Sequence, residues 1–193
     1  MNEWPDKKPN VPADEHGWFQ KANEQVLKAY LNDKTKLVIE LGSWLGKSTR
    51  FIAKQAPNAT VVAIDHWEGN PGHKGREDVK DKLLNLYETF LVNMWDFKER
   101  VKVCRMSTKQ GLKECYEMKM KPDVIYIDAA HDYNGAMHDI VDSMKYFPDA
   151  VIIGDDWNWH NKLREYTVRK AVIDYAYKNN KHLQVFSNVW WFV

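Results

Sequence analysis

Short apolar runs alternate along this chain with longer segments in which apolar residues recur at helical spacing. The runs end abruptly at glycine or aspartate, which is typical of buried strands whose carboxyl ends carry a turn. Alternating strands and helices predict a parallel sheet with right-handed crossovers. The predicted strands are 37–41, 60–65, 101–105, 123–128 and 150–154, and the predicted helices are 15–32, 47–55, 77–97, 109–118, 135–146 and 164–178.

The end of the chain breaks this alternation. Two apolar runs, 182–186 and 189–193, are separated only by Ser187 and Asn188 and must therefore pair as an antiparallel hairpin. The whole pattern predicts an α/β fold with a doubly wound, Rossmann-like sheet of seven mostly parallel strands and an antiparallel C-terminal hairpin. Residues 1–36 are expected to form an N-terminal arm and helix packed on a domain of residues 37–193. The proline-containing residues 1–14 are expected to be an extended, loosely ordered arm.

Composition narrows the range of partners. The 193 residues carry a net charge of +1, with 44% hydrophobic and 28% charged residues, as in an ordinary globular domain. This charge provides no basic field for nucleic acid, so we expect a small-molecule partner and no nucleic acid. No apolar run approaches a membrane span or a signal peptide, so a cytoplasmic location without membrane contact is expected. Cys104 and Cys115 are too few for a disulfide framework or a zinc site.

The first strand leads into a glycine turn. The run Leu37–Leu41 ends at Gly42, Gly46 follows, and a helix begins directly afterwards. Glycines allow a ligand to approach bare backbone, and a helix start offers unpaired N–H groups, so this turn suits a nucleotide-like ligand. The second strand ends at Asp65, where a doubly wound sheet holds ribose hydroxyls. A P-loop is excluded, because that motif has four residues between its glycines and this chain has three.

Three aspartates end the fourth and fifth strands. Asp128, Asp155 and Asp156 should emerge at one edge of the sheet, where unpaired carboxylates would repel one another. A hard ion such as Mg²⁺ removes this repulsion, so the pattern predicts a divalent metal site. The alternative is that Asp155 caps the next helix and Asp156 is solvated.

Several other side chains at this edge are candidates. His131 follows Asp128 closely and His160 follows Asp156, so either histidine could act as a general base. His131 could equally order its own loop or contact the nucleotide-like cofactor that the glycine turn would bind. Trp67 could stack on the cofactor or pack in the core, and Ser107 lies after the third strand, where such folds contact adenine.

Four motifs resemble the class I S-adenosylmethionine-dependent methyltransferases. They are Glu40–Ser48, Ile64–Gly69, Ile127–Tyr133 and Ile153–Asp156, and they occur in the order and spacing of that family. The nearest branch is the small metal-dependent O-methyltransferases related to macrocin and caffeoyl-CoA O-methylation. The resemblance implies cofactor contacts from Glu40, Gly42, Ser43, Gly46, Ser48, Asp65, His66, Trp67, Ser107 and Asp128.

The resemblance also implies a reaction. A divalent ion on Asp128, Asp155 and Asp156 would hold the acceptor hydroxyls, and the acceptor would be a small sugar or catechol-like molecule. Two departures stand out: related enzymes often have Asp-Thr-Trp where this chain has Asp65-His66-Trp67, and some have Asn in place of Asp156. Two alternatives stay open, a metal-independent O- or N-methyltransferase with a histidine base and a cofactor-binding module without transfer activity. A homodimer is possible.

Overall fold

The computed structural model describes residues 1–70, 73 and 75–193. Seven strands form one sheet: β1 (Leu37–Leu41), β2 (Thr60–Asp65), β3 (Val101–Arg105), β4 (Val124–Ile127), β5 (Val151–Gly154), β6 (Leu183–Phe186) and β7 (Val189–Phe192). Their order is β3-β2-β1-β4-β5-β7-β6. The first five strands are parallel, and β7 pairs antiparallel with both β5 and β6. The predicted fold class is therefore confirmed.

Helices cover both faces of the sheet. The described part of the chain contains α1 (Lys21–Tyr30), α2 (Lys47–Gln55), α3 (Leu86–Met94), α4 (Thr108–Glu117), α5 (Tyr133–Tyr146) and α6 (Thr167–Lys178). On β1, Val38 faces a core cluster shared with the first three helices, and Ile39 faces a second cluster shared with the last three. Buried strands are apolar on both faces for this reason. None of the helices in these described residues has the length and apolar character of a membrane crossing.

Three helices differ from their predicted bounds by more than two residues. The helix predicted over 77–97 is divided into a 3₁₀ segment, Lys80–Asn85, then α3, then a second 3₁₀ turn, Trp95–Phe97. Asn85 has φ −132°, which interrupts the helical backbone although the apolar spacing continues. The helix predicted from residue 164 begins at Thr167, because Arg164 adopts φ +59°. The helix predicted from residue 15 begins at Lys21.

The N-terminal arm is docked, which corrects the expectation of a loosely ordered segment. The Asn2 N–H donates to the Val103 carbonyl oxygen at 2.7 Å, and the Trp4 indole N–H donates to the Val101 carbonyl oxygen at 2.8 Å. The Trp4 ring also packs edge-on against Trp95. The arm therefore lies along β3, the outer strand on that side of the sheet, where unpaired backbone groups are available.

The aromatic C-terminal strand belongs to the sheet core. Trp190 is buried on β7, and its ring lies so close to β5 that a Cβ at Gly154 would stand 2.2 Å from it. The Trp190 indole N–H donates to the Asp155 carbonyl oxygen at 2.9 Å. The close approach at Gly154 thus brings the hairpin beside the end of β5.

Candidate active site

The glycine turn lies directly against the end of β4. Gly42 has φ +85° and Gly46 has φ +84°, both in the left-handed region that favours glycine. A Cβ on Gly42 would stand 2.0 Å from the Asp128 carbonyl oxygen. The backbone of Gly42 therefore contacts the backbone of Asp128, the acid predicted at the end of β4. Because Gly42 has no side chain, none lies between the turn and the strand end.

Glu40 presents a buried acceptor beside this turn. Its Oε2 accepts hydrogen bonds from the Ser43 hydroxyl at 2.6 Å and from the Thr49 hydroxyl. Its Oε1 has no partner in the described part of the chain. Burial raises the pKa of Glu40, although the hydrogen bonds from Ser43 and Thr49 act in the opposite direction. An unpaired buried carboxylate oxygen suits a cationic group such as the ammonium of a bound amino acid moiety.

Asp65 is held at the tip of β2 by two backbone donors. The N–H of Trp44 donates to Oδ2 at 2.9 Å, and the N–H of Trp67 donates to Oδ1 at 2.7 Å. Both donors have positive φ, +48° at Trp44 and +52° at Trp67. Burial raises the pKa of Asp65, and the backbone hydrogen bonds counter that rise. Strained turns on either side thus fix this carboxylate beside the glycine turn.

Three other predicted cofactor residues have structural partners. Trp67 is 3% exposed and packs between Phe90 and Tyr87, so core packing accounts for it and stacking on a ligand does not. His66 is exposed, with its Nδ1 accepting from the Glu68 N–H at 2.9 Å. Ser107 is the N-cap of α4, where its hydroxyl accepts from the N–H of Gln110.

The acid cluster forms at the ends of β4 and β5. One ligand atom from each of Asp128, His131 and Asp156 lies within 4.8 Å of the others. His131 Nε2 is 2.6 Å from Asp156 Oδ2, and Asp156 has φ +65°. Burial raises the pKa of Asp128 well above its usual range, and the charges of Asp155, Asp156 and Glu40 raise it further. Like charges in such a site favour binding of a cation.

Asp155, which the sequence predicts as a metal ligand, accepts hydrogen bonds from within the fold. It is buried, and its Oδ1 accepts from the N–H of Asp156 at 2.8 Å and from Nδ2 of Asn188 at 2.7 Å. Its carboxylate is outside the group of three, in which His131 stands instead. The hydrogen bond to the Asp156 N–H supports the left-handed backbone at Asp156, which brings that side chain to His131.

The two candidate bases are placed differently. His131 stacks on Trp159, with ring centroids 5.0 Å apart and planes 18° apart. Burial lowers the pKa of His131, but the hydrogen bond to Asp156 and the charges of Asp156 and Asp155 outweigh it, so the pKa is raised. His160 is exposed and lies edge-on to Tyr166, outside the group around Asp128.

Sequence reasoning missed one buried carboxyl beside the site. Asp139, on α5, is 4% exposed and accepts from the Thr108 hydroxyl at 2.6 Å. Its Oδ2 has no partner among the described residues, and the backbone N–H of Ala130, in the loop between Asp128 and His131, acts to lower its pKa. Burial raises the pKa of Asp139 to about 6. In the sequence Asp139 is one of several acids in predicted helices, so only the packing shows that its carboxyl is buried.

Asp139 should make folding stability depend on pH. Its folded pKa of about 6 exceeds the ordinary value of 3.8, so the protonated form favours folding and stability falls as pH rises through this interval. Relative to Asp139→Asn, we expect the wild type to lose about 1.4 kcal/mol between pH 5 and pH 7.5. Urea unfolding of both proteins at the two pH values measures this difference. An equal change in both proteins would contradict the prediction.

The fold and the site together define a class I S-adenosylmethionine-dependent methyltransferase. The glycine turn at β1, the acid at β2 and the seven-stranded sheet with its reversed last strand are combined in one chain. Residues 39–157, more than half of the chain, match the family described as methyltransferase domain. The chain belongs to this family and carries its methyltransferase domain.

Solved structures share the fold. An O-methyltransferase from Bacillus cereus in complex with SAH has a TM-score of 0.61 at 18% identity, covering 91% of this chain and 82% of that one. A calicheamicin methyltransferase has a TM-score of 0.61 at 12% identity, covering 88% and 76%. A methyltransferase of the mycinamycin biosynthetic pathway, in complex with Mg, SAH and mycinamycin VI, has a TM-score of 0.55 at 13% identity, covering 88% and 47%.

One curated protein is similar over part of the chain. The leucine–tRNA ligase of Methanopyrus kandleri is 26% identical over 117 residues, which is 58% of this chain and 12% of that protein. The chain therefore spans a small part of the length of this relative.

Proposed function

We propose that the protein transfers a methyl group to a hydroxyl oxygen of a small acceptor, assisted by a divalent ion such as Mg²⁺. The observation that carries this proposal is the group formed by Asp128, His131 and Asp156, whose ligand atoms lie within 4.8 Å of one another beside the glycine turn. The two carboxylates supply the oxygen ligands that Mg²⁺ prefers, and the imidazole is a nitrogen donor that first-row transition ions accept more readily. The similar mycinamycin-pathway enzyme was solved with Mg and SAH, which supports the same combination here.

The cofactor-binding residues of this proposal are those around the glycine turn. Glu40 offers its unpartnered Oε1 to the ammonium of S-adenosylmethionine, and Gly42 leaves room for the methionine end. Each Asp65 carboxylate oxygen accepts one backbone N–H and can accept a second hydrogen bond, which a ribose hydroxyl would donate. When bound, S-adenosylmethionine supplies a methyl group that is already a good electrophile, so the protein needs only to orient an acceptor oxygen and remove its proton.

Asp128, His131 and Asp156 would hold the ion, which would act as a Lewis acid on the acceptor hydroxyl and ease loss of its proton. Asp155, first expected as a ligand, serves in this proposal to position Asp156 through the hydrogen bond to its N–H. Asn188 fixes Asp155 in turn. The loop that contains His131 is tied to the fold by Thr167, whose hydroxyl donates to the His131 carbonyl oxygen.

A second candidate is metal-independent transfer with His131 as general base. The contact that favours it is the 2.6 Å approach of His131 Nε2 to Asp156 Oδ2, because a base oriented by a carboxylate is a common catalytic pair. The two candidates differ in their need for a cation, so a metal titration separates them.

We expect Mg²⁺ to bind at a single saturable site and to increase methyl transfer, because it relieves repulsion among the site acids. Calorimetric titration of Mg²⁺ into the protein with S-adenosylhomocysteine bound, with and without prior chelation, measures the binding of Mg²⁺. Methyl transfer is assayed with and without Mg²⁺. Asp156→Asn should weaken Mg²⁺ binding by about tenfold or more, which corresponds to about 1.4 kcal/mol. Asp149→Asn, at an exposed acid after α5, is the matched control and should leave it unchanged.

Two results would contradict parts of the proposal. If S-adenosylhomocysteine binds but Mg²⁺ changes neither heat nor methyl transfer, the histidine-base candidate replaces metal assistance. If Asp149→Asn weakens Mg²⁺ binding as much as Asp156→Asn, the cation binds outside the group around Asp128.

A further inference from the structure

The sheet has two outer strands, β3 and β6, and their free edges differ. The N-terminal arm lies along β3, where the Asn2 N–H donates to the Val103 carbonyl oxygen, and the exposed side chains of Lys102 and Arg105 add charge to that strand. Charged residues and covering segments are devices that keep an edge strand from pairing with another chain. Within the part of the chain that the structure describes, no segment pairs with the outer side of β6.

The open edge of β6 carries backbone groups that are free to pair. The Val193 N–H donates to the His182 carbonyl oxygen at 2.9 Å, and β6 continues in antiparallel register with β7 from there. Hydrogen-bonded positions alternate along an antiparallel pair, so every second residue from His182 to Phe186 bonds to β7. The N–H and carbonyl groups of Leu183 and Val185 therefore point away from the sheet, where a further strand could pair with them.

The side chains of β6 are apolar on both faces of the strand. Leu183 packs against the core cluster shared with the last three helices, and Val185 faces the same side and is 39% exposed. Phe186, on the opposite face, is 48% exposed. None of the residues 183–186 is charged. Apolar residues on both faces without a charge are typical of a strand that has neighbours on both sides.

Helix α6 extends this apolar surface. Ile173 and Tyr177, four residues apart and so on one face of the helix, are 45% and 91% exposed. With Ala176 and Leu183 they line a groove of about 380 Å³ between α6 and β6. A stable dimer buries about 800 Å² per partner, more than a strand of this length provides. A partner on this edge must therefore cover the groove as well.

We propose that β6 pairs antiparallel with β6 of a second copy of the chain, around a two-fold axis at Gln184. In this register Leu183 of one copy lies opposite Val185 of the other, and these are the residues whose backbone groups point outward. Each of the two such pairs exchanges two hydrogen bonds, and the two sheets become one. This inference is independent of the methyl transfer proposed above.

A second copy suits this edge because the register is self-complementary, as a two-fold interface requires. Lys181 of one copy lies opposite Ser187 of the other, so the two lysines do not meet across the strands. Because α6 packs on the same face of the sheet as Leu183, the α6 helices of the two copies face each other across the axis. Tyr177 of each copy then covers the groove of the other.

The mass of the full chain in solution tests the interface. Sedimentation velocity over a dilution series should give twice the mass of one chain for the wild type. Val185→Lys should weaken dimerisation at least about tenfold, because it places a charge at the paired edge. Val141→Lys, at a valine on α5 that is 37% exposed, is the matched control and should remain dimeric. Unchanged binding of S-adenosylhomocysteine shows that a variant is folded.

A cysteine on the axis tests the register. Gln184 faces itself as a non-hydrogen-bonded pair, in which the Cα atoms are about 4.5 Å apart, within the range of a disulfide. Gln184→Cys should therefore form cross-linked dimers on oxidation, visible by non-reducing electrophoresis. Ser187→Cys is the control, because its two copies would lie about 20 Å apart. The native Cys104 and Cys115 are buried and should not compete.

The outcomes separate this inference from the proposed function. A monomeric wild type, an undiminished dimer in Val185→Lys, or equal cross-linking of Gln184→Cys and Ser187→Cys would each overturn the inference while the proposed function stands. If Val185→Lys does not fold, the comparison of the two cysteine variants decides. Loss of S-adenosylhomocysteine binding in a dimeric wild type would overturn the proposed function and support the inference alone.

Discussion

Replacing Asp128 by Asn is expected to abolish Mg²⁺ binding and to reduce methyl transfer by about 100-fold, since Lewis-acid assistance contributes several kcal/mol. The same change should raise stability in the absence of Mg²⁺ by about 1 kcal/mol, the usual size of a single-substitution effect. The reason is that burial and the charges of Asp155, Asp156 and Glu40 raise the pKa of Asp128, so its carboxylate is unfavourable without a cation. Activity assays and urea unfolding with and without Mg²⁺ measure both effects.

The opposite signs of these two effects make the Asp128 prediction specific. A merely structural acid would lose stability on replacement, and a general base would lose activity without any change in Mg²⁺ dependence. Asp149→Asn, at an exposed acid, should change neither quantity. The prediction fails if Asp128→Asn keeps a Mg²⁺-dependent rise in stability.

Replacing Gly42 by Ala is expected to cost about 3 kcal/mol or more of folding stability and to remove cofactor binding. The new Cβ would lie 2.0 Å from the Asp128 carbonyl oxygen, and the residue would have to keep φ +85°. Because both the obstacle and the strain are in the backbone, a side-chain rotation cannot relieve them. Thermal unfolding and titration with S-adenosylhomocysteine test the two parts.

Gly75→Ala is the control for the Gly42 prediction. Among the residues that the structure describes, no heavy atom beyond the chain neighbours lies within 4 Å of a Cβ at Gly75, and its φ lies outside the left-handed region. This variant should unfold within about 1 kcal/mol of the wild type. If Gly42→Ala is as stable as Gly75→Ala and still binds S-adenosylhomocysteine, the turn is not the close-approach site described here.

The sequence was most informative about the central strands. β1 and β2 have the predicted bounds, because a strand buried on both faces is a nearly continuous apolar run that ends sharply at a polar residue or glycine. The outer strand β3 also has its predicted bounds, although Lys102 and Arg105 are exposed on it. The sequence was least informative about the segments beside the site. The division of the helix predicted over 77–97 depends on the backbone at Asn85, which the apolar spacing does not reveal.

The sheet, its reversed last strand, the glycine turn and the edge at which the aspartates gather could all be predicted from the amino-acid sequence. These features follow from local periodicity, from glycine conformation and from the rule that parallel strands end on one side. Only the folded structure shows that His131 lies with Asp128 and Asp156, that Asp155 accepts from Asn188, and that Trp67 packs in the core. It also brought Trp18 over the turn beside Trp44. These contacts join residues far apart in the chain, so they depend on how side chains pack and not on the local pattern.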